Sequence, residues 1–91
     1  MTRLATRADA IFVAEANFAM AVETENLTLD KPTLQLGVNA VFDDPTKGSY
    51  IMAAIDGQDA GCLLITYEWS DWRNCQVAWI QSLYVLPEFR G

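Results

Sequence analysis

Histidine is absent from this chain. Its absence removes imidazole both as a general base and as a metal ligand. Basic residues are few. Arg3, Arg7, Lys31, Lys47, Arg73 and Arg90 are scattered against twelve acids, and the net charge is −6. An acidic chain with no basic patch gains little from phosphate backbones or anionic lipid, so nucleic acid and membrane surfaces are not expected as partners. Cysteine is scarce too. Cys62 and Cys75 do not make a disulfide framework, and Cys62 lies in an apolar run where a thiol behaves as a small hydrophobe. No apolar run is long enough to span a bilayer, because Glu15, Asn17 and Glu23 interrupt residues 10–22. Asp9 and Glu15 also break any signal-peptide pattern. Cytoplasmic placement is the expectation.

What is present is apolar. Of 91 residues, 52% are hydrophobic, including three Trp, three Tyr and four Phe. A chain of this length is at most one small domain and hides about two-thirds of its unfolded surface. So much apolar material predicts either a tight core or an apolar face that meets a partner.

Residues 3–5 fit a short strand. Thr6, with Asp9 three positions on, resembles a capping box, and Ile11, Phe12, Ala16, Ala19 and Met20 form a helical stripe that fades at residues 23–25. Asp30 followed by Pro32 starts a second helix. Leu34, Val38, Val41 and Phe42 continue it, and Asp44-Pro45 ends it. The period then changes. Residues 50–55, 61–69 and 77–85 read as strands, with a hairpin turn at Asp56-Gly57, a polar loop over 70–76 and a stop at Pro87. The pattern is α+β: strand, helix, helix, then a three-stranded antiparallel meander.

The segment 61–91 reads GCLLITYEWSDWRNCQVAWIQSLYVLPEFRG. It resembles a bacterial subgroup of the GNAT-superfamily N-acetyltransferases, in which a TYEWSDWRN loop precedes WIQSxYVxPxxRG. The element order also matches the first half of the GNAT fold, and the stretches RLATRADA, ETE-L-LD and VF-DP-G-Y are similar to the same subgroup. The resemblance implies an acyl-CoA-dependent transfer to a small-molecule or peptide amine, with acetyl-CoA as co-substrate. It implies a bulged fourth strand whose free backbone groups pair with the pantetheine arm as an added strand would, lined by Leu83, Tyr84 and Val85. It also places Arg90 and Gly91 at the first two positions of the Arg/Gln-x-x-Gly-x-Gly/Ala loop that cradles the pyrophosphate at a helix N-terminus. The motif's two glycines, that helix and the tyrosine that commonly protonates the leaving thiolate are not among these residues. The expectation is therefore a single partial domain, 1–91, inactive alone. Its complement is a C-terminal half, or the chain is a fragment or a natural remnant. The alternative is a non-catalytic truncated module that associates, as a homo-oligomer such as a dimer, through its exposed last strand.

Other residues carry a functional and a plainer reading. Glu68, near the end of the third strand, is a candidate base or ammonium contact, or a solvated strand-end carboxylate. Glu23 follows the first helix, which the resemblance places near the acceptor. It is a candidate for a cationic amine, or a solvated helix end. Trp72 in the loop and Gln81 in the last strand are candidate substrate contacts. Trp79 and Tyr84 fall on opposite faces of one strand unless a bulge shifts the register.

Overall fold

The protein is described here by a computed structural model covering residues 1–90. Its elements are β1 (Thr2–Leu4), α1 (Ala10–Glu25), α2 (Lys31–Asp43), β2 (Ser49–Ile55), β3 (Gln58–Ser70) and β4 (Cys75–Val85). Short 3₁₀ turns stand at Arg7–Asp9, Pro45–Lys47 and Pro87–Phe89. This is the expected strand-helix-helix-meander order, and all four strands join one antiparallel sheet in the order β1-β2-β3-β4.

Local chemistry fixes the element ends. The chain enters α1 through the Arg7–Asp9 turn rather than directly at Thr6. The Asp9 carboxylate accepts the Thr6 N–H at 2.8 Å and two Arg3 N–H donors at 2.7 and 2.9 Å, so this buried anion is fully partnered. These bonds hold its pKa down at about 2, the Arg3 bonds contributing most. At the other end Asn26 turns left-handed (φ 51°), and the Leu27 N–H reaches the Ala21 carbonyl at 3.1 Å. That closure satisfies a terminal carbonyl of α1. Asp30 caps α2 by accepting the Thr33 N–H at 3.1 Å, with Pro32 in the first turn.

The turn at Asp56-Gly57 has φ of 52° and 77°, the positive pair that a tight hairpin requires. β3 and β4 run longer than the sequence suggests and meet in a turn over residues 71–74. The Ser70 hydroxyl accepts the Arg73 N–H at 3.3 Å and Asn74 adopts φ 52°, so the expected polar loop shrinks to four residues and its ends, Ser70, Cys75 and Gln76, become paired strand.

One face of the sheet is covered. Tyr50 and Met52 of β2, Cys62 and Leu64 of β3 and Tyr84 of β4 pack with Val13, Ala14 and Ala16 of α1 and Val38 of α2. Val13 and Met52 sit at the centre, 0% and 1% exposed. Gly61 lets β3 approach β4 closely, since a Cβ there would run into the Tyr84 carbonyl. The other face carries Leu4, Ile51, Leu63, Ile65, Tyr67, Ile80 and Leu83, and of these Leu4, Tyr67, Ile80 and Leu83 are exposed. No helix of the described residues is long and apolar enough to cross a membrane.

Candidate functional site

The site grows from an irregularity in β4. Leu64 pairs with Ser82, but the next residue, Ile65, pairs with Ile80, which leaves Gln81 as an extra residue. This is a β-bulge, and it bends the strand and restores the phase of the pattern. Trp79 lies opposite Thr66 and Tyr84 opposite Cys62. Those partners are four apart on β3, so Trp79 and Tyr84 share the helix-covered face. An unbroken strand would have separated them.

β4 is also the last strand of the sheet among the described residues. The Leu86 N–H donates inward to the Ala60 carbonyl at 2.8 Å. In an antiparallel ladder the direction alternates, so Tyr84 bonds towards β3 while Leu83 and Val85 turn their N–H and C=O groups outward. The Val85 carbonyl bears this out, accepting Arg90 Nε at 2.8 Å from the open side. Beside this edge is a groove of about 460 Å³ lined by Met20, Glu23, Thr24, Leu83, Tyr84, Val85 and Arg90.

Glu23 lines the groove and is held from two sides. The Tyr84 hydroxyl donates to its Oε2, and Arg90 Nη1 lies 3.1 Å from its Oε1. The hydroxyl bond, and then Arg90, hold the Glu23 carboxyl below its usual range. The same carboxylate pushes the Tyr84 phenol upward. The Arg90 guanidinium also lies over the Tyr84 ring, 5.2 Å from its centroid.

The expected residues thus divide into two groups. Glu23, Leu83, Tyr84, Val85 and Arg90 come together around one groove. Gly91 lies outside the described residues. Glu68, Gln81 and Trp72 lie further out. β2 pairs with β3 only as far as Ile65, so residues 66–70 and 75–79 project as a two-stranded ribbon. There the Trp79 indole N–H donates to Glu68 Oε1 at 3.1 Å, and the Gln81 amide donates to Thr66 Oγ1 at 2.7 Å. Glu68 stands six residues along β3 from Cys62, about 20 Å at the usual strand rise. Trp72 is at the ribbon tip, 95% exposed. The Cys62 thiol is buried and pushed up to about 11, a poor nucleophile. Met20 and Thr24 also wall the groove, and the helix face they share with Glu23 is the sequence signal for them. Thr66 had no signal, because its contact depends on the bulge.

The elements form an α+β fold whose last described strand is bulged and open at its outer edge. No family model and no curated protein matches the chain. Among solved structures, a possible acetyltransferase from Clostridium difficile 630 is 40% identical with a TM-score of 0.94, over 99% of this chain and 59% of that one. A predicted acetyltransferase with acetyl-CoA from Clostridium acetobutylicum (15% identity, TM-score 0.76) is covered by all of this chain over 62% of its own length. A GNAT family acetyltransferase from Staphylococcus aureus (12% identity, TM-score 0.73) matches 99% of this chain and 64% of its own. The two distant matches show the fold alone. The chain spans about 60% of the length of each of these structures. It carries the N-terminal portion of the GNAT fold.

Proposed function

We propose that the chain is the N-terminal portion of an acyl-CoA-dependent N-acetyltransferase and supplies the pantetheine wall and the acceptor side of its site. One observation carries the reading: a bulged, open β4 edge turns the Leu83 and Val85 backbone outward beside a groove. A pantetheine arm has amide groups at spacings that suit such an edge, and each backbone bond gained is worth about 0.5–1.5 kcal/mol. Acetyl-CoA, when bound, supplies the thioester. In this reading Leu83 and Val85 hold the arm in register, and Arg90, with Gly91 after it, faces the coenzyme's phosphates. Met20 and Thr24 wall off water. Glu23 orients the amine. Its lowered pKa suits it to hold an ammonium rather than to take a proton. Glu68, Trp79, Gln81 and Trp72 serve the distal part of an extended acceptor, with Glu68 as its charged contact. Cytoplasmic placement belongs to the proposal.

The test joins these 91 residues to the remaining C-terminal part of the Clostridium difficile relative. Thiol release from acetyl-CoA is then followed with a panel of amines. Transfer by the joined protein and none by the 91-residue chain is the expected result. A cooperatively melting chimera that binds no acetyl-CoA would refute the reading.

A second reading, a non-catalytic module that dimerises through β4, is favoured by the same open edge and by exposed Ile80 and Leu83. Sedimentation separates the two. A dimer of the chimera that persists under saturating acetyl-CoA supports the module, and a dimer that dissociates supports the cofactor edge.

A further inference from the structure

Arg90 rests where a free organic cation would settle. Its Nη1 is 3.1 Å from Glu23 Oε1, its guanidinium carbon is 5.2 Å from the Tyr84 ring centroid, and its Nε donates to the Val85 carbonyl at 2.8 Å. A carboxylate, an aromatic face and a carbonyl oxygen converge on one spot, and these are the groups that recognise such a cation. The corner does not depend on Arg90 for its shape. Tyr84 is buried in the core and donates its hydroxyl to Glu23 Oε2, so the carboxylate stays aimed into the groove. Around it Met20, Thr24, Leu83 and Val85 offer walls for a short carbon chain.

Arg90 itself is loosely held. It follows the Pro87–Phe89 turn and its side chain is 46% exposed. Ion pairs this open are weak and yield readily to a competing cation.

We infer that the corner formed by Glu23, Tyr84 and the Val85 carbonyl is a binding site for an organic cation, a primary ammonium or guanidinium on a short apolar chain, with Arg90 as its internal occupant. The inference rests on the acyl-transfer reading only for calling that cation the acceptor. A ligand that displaces Arg90 takes over the Val85 carbonyl that Arg90 Nε now holds.

The experiment uses the 91-residue chain without any coenzyme. The Arg90 Nε–H resonance is followed by NMR during titration with n-butylammonium, methylguanidinium and neutral n-butanol. Both cations should move that resonance saturably to the position of a solvent-exposed arginine, and butanol should not. Arg90→Ala, read from neighbouring amide signals, should bind both cations roughly fivefold tighter, as removal of a weak internal competitor requires. Glu23→Gln keeps the acceptor for Tyr84 and should weaken cation binding about tenfold or more. Should that variant fail to melt cooperatively, Glu23→Asp, which retracts the carboxylate, must weaken binding instead. The inference is overturned if Arg90→Ala binds no tighter than the parent, if the carboxylate variants bind as well as it does, or if butanol acts as the cations do. Because acetyl-CoA takes no part, failure of the acyl-transfer reading leaves this result standing, and the reverse holds as well.

Discussion

Gln81 shows how one residue sets the geometry of the site. Counting along β4, Trp79 and Tyr84 are five apart and should face opposite ways, but the extra residue makes that four ladder steps. A bulge in this strand followed from the family resemblance, whereas its location at Gln81 did not, since nothing in Ile80-Gln81-Ser82 marks one residue as unpaired. Deleting Gln81 leaves the same cross-strand partners and removes the bend. Unfolding free energy should change by no more than about 1 kcal/mol, while acetyl-CoA affinity of the joined protein should fall at least about tenfold in calorimetry. Asp9 offers a second test at this scale. Its folded pKa is about 2 against an ordinary 3.8, so its contribution is complete above pH about 4 and is lost as pH falls towards 2. With Arg3 half-exposed, the effect is about 1–2 kcal/mol after screening. Denaturant melts should show that loss in the parent and not in Asp9→Asn, which should start lower by the same amount. The Glu23–Tyr84 bond was not legible in advance, because its partners are 61 positions apart and only the packing of α1 against β4 brings them together.

At the scale of elements, both helices and all four strands could be read from the chain, because their signals are local. Asp30 before Pro32, Asp44-Pro45 and Asp56-Gly57 each act through backbone geometry within a few residues. Asp30→Ala removes the α2 cap and should cost about 1 kcal/mol, checked by thermal melting. Strand length was less visible. Ser70 and Cys75 look like loop residues by composition, yet they pair because the cross-strand ladder continues to a tight turn. Close approach was also invisible. Gly61→Ala would press a Cβ on the Tyr84 carbonyl, and we expect a loss of about 1–3 kcal/mol together with altered β4 amide shifts.

At the scale of the whole molecule, the apolar surplus in the composition has a location. One sheet face is buried under α1 and α2, and the other leaves Leu4, Ile80 and Leu83 exposed beside an open β4 edge. The sequence resemblance picked out Leu83, Tyr84 and Val85 together. The structure divides them by direction, with Tyr84 bonded inward and its two neighbours turned out. That division is the most direct handle on the central claim, that the β4 edge forms the pantetheine wall. Amide hydrogen exchange on the joined protein, with and without acetyl-CoA, reads it residue by residue. Coenzyme is expected to slow exchange at the Leu83 and Val85 amides at least about tenfold and to leave Tyr84, already bonded to β3, nearly unchanged. Acetyl-CoA binding with no added protection at Leu83 and Val85 would contradict that claim.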